Sequence, residues 1–113
     1  MGARRSPVIA VTLGDPCGIG PEVLLKALAR PSRPLSRRLI VIGTLRVVQH
    51  TARRLRLPMP DWDVVGADED RESRSPLVFV DVPARAECVP GRSSARAGRA
   101  ALAYLDHAIA LWR

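Results

Sequence analysis

A chain of 113 residues, 47% of them hydrophobic and 26% charged, is one modest domain or a piece of a longer protein, with enough apolar side chains for a core. No apolar run nears the roughly 18 residues needed to span a bilayer, which excludes a transmembrane helix. The net charge of +7 comes from arginines scattered along the chain, with Lys26 the only lysine; Arg53, Arg54 and Arg56 cluster, but no aromatic residues or binding module stand beside them, which disfavours nucleic acid as a partner.

The opening "MGARRSPVIAVTLGDP" carries two arginines and then an apolar run that meets Gly14-Asp15-Pro16 too early for a signal peptide. Val8 to Leu13 reads instead as a parallel strand buried on both faces. A glycine-rich turn follows. Pro21 and Glu22 then mark the first turn of a helix, where a missing N–H is harmless and a negative charge complements the helix dipole. Leu24, Leu25 and Leu28 share one face of that helix, and "RPSRPLSRR" ends it. Leu39 to Ile42 is a second buried strand closing at Gly43, with Thr44 placed to cap the next helix. Leu45, Val48, Ala52 and Leu55 recur there at helical spacing, with Arg53, Arg54 and Arg56 outward. Val64-Val65 is a brief strand, "GADEDRESRSP" a polar loop, and Leu77 to Val82 a further strand. From Ser94 the chain is helical, with Ala101, Leu105, Ala108 and Trp112 on the core face and Leu102 and Ile109 widening it. Strands alternating with helices predict an α/β domain with a mostly parallel sheet and flanking helices. Cys17 and Cys88 are the only cysteines and, without a signal peptide, are expected to be reduced thiols in the cytoplasm.

The turn in "TLGDPCGIGPEV" is the most specialised stretch. Gly14, Gly18 and Gly20 permit positive φ or close approach by another backbone or a ligand. It lies at the carboxyl end of the first strand, where ligands of parallel sheets bind. A phosphate cradle fits poorly, because Asp15 adds negative charge, Pro21 lacks an N–H, and neither G-x-G-x-x-G nor G-K-[ST] is present. The carboxylate of Asp15 suits hydroxyl groups, such as those of a ribose, or a nearby cation. Equally, it suits an Asx-turn that merely shapes the bend. The residues alone leave both readings open.

The stretch "TLGDPCGIGPE" resembles the N-terminal signature of 4-hydroxythreonine-4-phosphate dehydrogenases, NAD-dependent enzymes of pyridoxal-phosphate (pyridoxine) biosynthesis. The resemblance continues through "VIAVTLGDPCGIGPEVLLKAL", "LIVIGTLRVVQHTARRL" and "PGRSSARAGRAALAYLDHAIAL", in the family's order and over nearly the whole chain. Isocitrate and isopropylmalate dehydrogenases carry a related but shorter signature without the equivalents of Pro16 and Cys17. Cys17 stands where the family usually has a small residue such as alanine.

The resemblance implies the N-terminal part of an isocitrate/isopropylmalate dehydrogenase-like fold, with residues 1–113 as one α/β portion of a longer two-lobed enzyme. It further implies NAD and a divalent metal as cofactors, a small phosphorylated hydroxy-acid substrate, no membrane partner, and a homodimer when complete. Thr12, Gly14, Asp15, Gly18 and Gly20 would line one wall of the cleft, shaping it and contacting cofactor or substrate rather than moving protons. The family is several times longer, and its metal-binding histidines lie beyond the matched stretch. His50 and His107 match none of them, so no catalytic or metal residue is assigned, and the chain alone is expected to be inactive. Related dehydrogenases acting on threonate or erythronate 4-phosphate, and a non-catalytic interaction remnant, are the alternatives.

Overall fold

A computed structural model describes residues 8–30, 37–69, 72–83 and 94–112. The N-terminal arginines, the "RPSRPLSRR" break apart from its ends, the segment holding Cys88, and the side chain of Trp112 lie outside the described residues.

The elements run β1 (Val8–Thr12), α1 (Gly20–Ala29), β2 (Arg38–Gly43), α2 (Leu45–Leu55), β3 (Asp63–Gly66), β4 (Leu77–Asp81) and α3 (Ala95–Trp112). The strands form one four-stranded sheet in the order β1-β2-β4-β3, every pairing parallel. The fold is therefore α/β with a parallel sheet and flanking helices, as the alternation of patterns predicts. The connections from β1 to β2 and from β2 across to β3 step in the same direction along the sheet, and the right-handed crossover that parallel strands favour would carry α1 and α2 to one face. There the two helices pack side by side, and α2 reaches β4. The chain then reverses direction, and α3 lies over β1 and β2.

The central strands β2 and β4 hold the core. Val41, Ile42 and Phe79 are sealed from solvent together with Leu25 of α1, Val48 of α2 and Tyr104 of α3. Trp62 leans its ring against Phe79, with centroids 4.7 Å apart. Helix α2 ends in a Schellman arrangement: Leu57 N–H donates to Ala52 O at 2.9 Å and Arg56 N–H to Arg53 O at 3.3 Å, with Arg56 itself left-handed at φ 54°. Arg56 thus sits just beyond the helix rather than within it.

Two expectations fail. Val8 to Ala10 are exposed, not buried on both faces, because β1 is an edge strand, with β2 as its only neighbour among the described residues. An unbroken apolar run records the surroundings a strand is suited to, and the described residues cover only its C-terminal part. The second failure is the face of α3. Ala97, Ala100 and Tyr104 are buried, with Ala101 and Ala108 half-buried, while Leu102, Leu105, Ile109 and Leu111 face outward. Small residues let α3 approach the sheet closely. The larger leucines on the far side form the stronger periodic signal but not the buried one.

Candidate functional site

The carboxyl ends of the parallel strands bring Thr12, Gly43 and Asp81 to one rim, since Thr12 pairs beside Ile42 and Gly43 beside Asp81. Leu13 N–H donates to Ile42 O at 3.0 Å, extending the ladder past β1 to the mouth of the turn. Gly14 then takes φ 68°, a conformation that disfavours a side chain. Asp15 Oδ1 accepts from Cys17 N–H at 2.8 Å, and Asp15 O accepts from Gly18 N–H at 2.9 Å. The Asx-turn is thus real. Pro16 and Cys17 are buried beneath it, while Gly18 and Ile19 are exposed at its tip. Gly20 opens α1, with Pro21 buried in its first turn.

All five residues read from the sequence, Thr12, Gly14, Asp15, Gly18 and Gly20, therefore lie in one strand exit and turn. Two of the turn's N–H groups are engaged internally and Pro21 has none, so the turn is poorly supplied with donors for a phosphate. His50 is exposed on α2. His107 is half-buried on α3 and lines a groove with Ile40, Val78 and Val80, away from the turn.

One expected thiol is not a thiol. Cys17 is disulfide-bonded, and the expectation of a reduced residue in the turn is corrected. Compartment-based reasoning sets a prior for cysteine pairing but carries no information on which residues the fold brings together.

The sequence reading missed a second layer of the rim. Thr44 is the residue before α2, yet its hydroxyl does not cap that helix. Asp81, arriving from β4, does so instead: its Oδ1 accepts from Leu45 N–H at 2.9 Å. Thr44 Oγ1 donates to Val82 O at 2.6 Å and is also hydrogen-bonded to the Tyr104 hydroxyl. A threonine hydroxyl has one proton, and Val82 O takes it, so Tyr104 is the donor to Thr44. Burial pushes the Tyr104 phenol above its usual value of 10.0, and the charges of Asp81 and Asp15 add to it. The available signal was a polar residue at the carboxyl end of each central strand, Thr44 just after β2 and Asp81 closing β4, and one tyrosine amid alanines in α3.

Among the described residues, no helix is long and apolar enough to cross a membrane, and no group of three His, Cys, Asp or Glu is gathered as a metal site.

No protein-family model matches the chain. It is 37% identical over 108 residues to the D-threonate 4-phosphate dehydrogenase of Cupriavidus necator, covering 95% of this chain and 32% of that protein. To the 4-hydroxythreonine-4-phosphate dehydrogenase of Synechocystis sp. it is 38% identical over 109 residues, covering 96% of this chain and 30% of the relative. Among solved structures, the 4-hydroxythreonine-4-phosphate dehydrogenase of Klebsiella pneumoniae superposes with a TM-score of 0.74 at 29% identity, over 94% of this chain and 33% of that one. The Burkholderia phymatum enzyme of the same name gives 0.70 at 29% identity, over 96% and 33%. The chain spans about a third of the length of the curated relatives it matches. Over nearly all of its own length, it is homologous to that third of the 4-hydroxythreonine-4-phosphate and D-threonate 4-phosphate dehydrogenases.

Proposed function

We propose that this chain is the N-terminal α/β portion of a two-lobed, NAD-dependent dehydrogenase of a phosphorylated hydroxy acid, with 4-hydroxythreonine 4-phosphate as the first substrate to test. The observation that carries the reading is the turn itself. A glycine-rich bend, held by an Asx-turn, sits at the carboxyl end of a parallel strand within a chain homologous throughout to such dehydrogenases. In this reading Thr12, Gly14, Asp15, Gly18 and Gly20 form one wall of the cleft. The exposed tip at Gly18 leaves room for a ligand, and the Asp15 carboxylate faces hydroxyl groups rather than phosphates. NAD, when bound, accepts the hydride; the turn binds and orients and moves no proton.

The described residues do not fit the divalent metal that the resemblance implies, because no ligand cluster forms among them. No step is derived through it, and in this proposal its ligands belong to other parts of a complete, homodimeric, cytoplasmic enzyme. The chain alone is then inactive. D-threonate 4-phosphate is the second substrate to test, since identities of 37% and 38% weigh the two named activities equally.

The test is a chimera in which this chain replaces the matching third of the Cupriavidus or Synechocystis enzyme. Metal-dependent NADH formation by the chimera, and none by the isolated chain, is the expected result. A folded but inactive chimera in both backgrounds would favour the non-catalytic remnant. Asp15→Ala in an active chimera separates the roles of that residue. Loss of its turn hydrogen bond costs about 1 kcal/mol of stability, and a loss of activity well beyond what that instability explains marks ligand contact.

A further inference from the structure

We propose that the outer face of α2 and the groove at its C-terminal end form a docking site for an acidic segment of a partner protein, one that carries an apolar side chain among its carboxylates. The helix "LRVVQHTARRL" contains no acidic residue. Its buried side is Val47, Val48, Thr51 and Ala52. Its exposed side holds Arg46, Gln49, His50, Arg53 and Arg54, a run of N–H donors at helical spacing. No carboxylate among the described residues pairs with Arg53, Arg54 or Arg56. Lys26 on the neighbouring helix, by contrast, is matched by Glu22 at 3.3 Å.

The end of the helix adds apolar surface to this charge. Gln49, Ala52, Arg53, Arg56, Leu57 and Met59 surround one open groove of about 460 Å³. Arg56 takes the left-handed position, φ 54°, that glycine or asparagine usually fills, so two arginines line the groove together. Met59 is apolar yet 39% exposed. The negative end of the helix dipole accounts for Arg53 and Arg54 in the last turn. It does not account for Arg56 beyond that turn, or for the uncovered Met59.

These features select among anionic partners. A membrane surface needs the apolar side of the helix, and Val47, Val48 and Ala52 are already committed to the interior. Nucleic acid would take the arginines for its phosphates but leave Leu57 and Met59 idle, and no aromatic residue lines the groove to stack a base. A single small anion would occupy one guanidinium fork of a face roughly 16 Å long. An acidic protein segment uses the whole set. Its carboxylates each accept two N–H bonds from a planar guanidinium, and its apolar side chain lies on Ala52, Leu57 and Met59. The net charge of +7 steers such a segment toward the chain, and the groove selects where it settles.

Helix α2 starts at the rim that holds the glycine-rich turn and runs away from it, so the groove lies at the other end of the sheet and its test needs no substrate. The full chain is titrated into a fluorescein-labelled peptide of repeated Glu-Glu-Leu at low salt, with fluorescence anisotropy as the readout. Binding is expected, and it should weaken as salt rises. Arg53→Gln with Arg56→Asn should weaken it roughly tenfold. Glutamine keeps the helix propensity and asparagine suits the left-handed position, and circular dichroism checks the fold. Arg53→Gln alone, at an exposed helix position, should weaken binding about threefold and decides the matter if the pair disturbs the fold. Arg96→Gln with Arg99→Gln removes the same charge from the exposed surface of α3 and should leave binding nearly unchanged. Met59→Ser should weaken binding of this peptide severalfold and leave that of polyglutamate of equal length unaltered. Absence of binding at low salt, an equal loss with the α3 pair, a Met59→Ser chain that binds the leucine-bearing peptide like wild type, or tighter binding of a DNA duplex than of the peptide would each overturn the proposal; the last marks a nucleic-acid surface.

Discussion

Gly20 is the position where the turn has least tolerance. A Cβ built on it would lie 2.1 Å from the carbonyl oxygen of Leu13 and 3.2 Å from its carbonyl carbon. Both atoms are backbone, and Leu13 is anchored by its own N–H to Ile42 O at 3.0 Å. No side-chain rotation relieves the overlap. Either the first turn of α1 or the exit of β1 must move by about an ångström. Overpacking that displaces backbone costs about 1–3 kcal/mol. Gly20 is the first residue of α1, where the advantage alanine has in the middle of a helix does not apply, so Gly20→Ala should lose about 2 kcal/mol. Gly14 provides the internal control. Its φ of 68° disfavours alanine, but no heavy atom lies within 4 Å of a Cβ placed there. Gly14→Ala should therefore cost only the left-handed strain, ~1–2 kcal/mol and toward its lower end. Thermal unfolding followed by circular dichroism reads both, at roughly 4–8 °C per kcal/mol for a domain near this size. A Gly20→Ala chain as stable as wild type, or more stable than Gly14→Ala, would refute the close-approach argument.

Gly98 in α3 has open space where a Cβ would go, so Gly98→Ala should stabilise the chain by ~0.5–1 kcal/mol, read by the same melts. Tyr104 is neutral in the fold and its proton is needed by Thr44; its raised pKa means that the unfolded chain gives up this proton first, so stability is full below pH 10.0 and falls as pH rises beyond it. Tyr104→Phe should abolish that alkaline fall while costing ~0.5–1.5 kcal/mol at neutral pH, as urea titrations at several pH values would show. The edge of β1 and the outward leucines of α3 should make the isolated chain associate as its concentration rises in size-exclusion chromatography; a monomer at every concentration, with one sharp thermal transition, would contradict this.

The parts of the fold legible in the sequence are those written in neighbouring residues. The exits of β1 and β2 are marked by Gly14 and Gly43, and α3 begins where Ser94 accepts Ala97 N–H at 3.0 Å. The Asx-turn at Asp15 was readable because donor and acceptor are two positions apart. What escaped is set by contacts between distant positions. Thr44 meets Tyr104 across 60 residues, and Asp81 meets Leu45 across 36. A helix-capping rule assigns Thr44 to its own helix because it examines only adjacent residues. The sheet instead delivers Asp81 to that helix from β4 and releases Thr44 to bridge Val82 and Tyr104.

The misread face of α3 exposes a more general conflict between two signals. Hydrophobic periodicity weights a helix by the size of its apolar side chains, so Leu102, Leu105 and Ile109 dominate the pattern. Close packing on a sheet selects for small size, and it selects Ala97, Ala100 and a tyrosine whose hydroxyl is satisfied by Thr44. Both selections operate in α3 because the helix has two apolar faces. One is used against β1 and β2. The other is exposed, as is the neighbouring β1 edge at Val8 and Ile9. A helix that is apolar on both sides is suited to burial between two layers, and a strand that is apolar along its length is suited to a sheet interior. Those two exposures are independent in sequence and agree in direction: this sheet and its third helix are built to be covered further. That agreement is why the isolated chain should associate, and why a chimera rather than the chain alone is the fair test of the dehydrogenase reading.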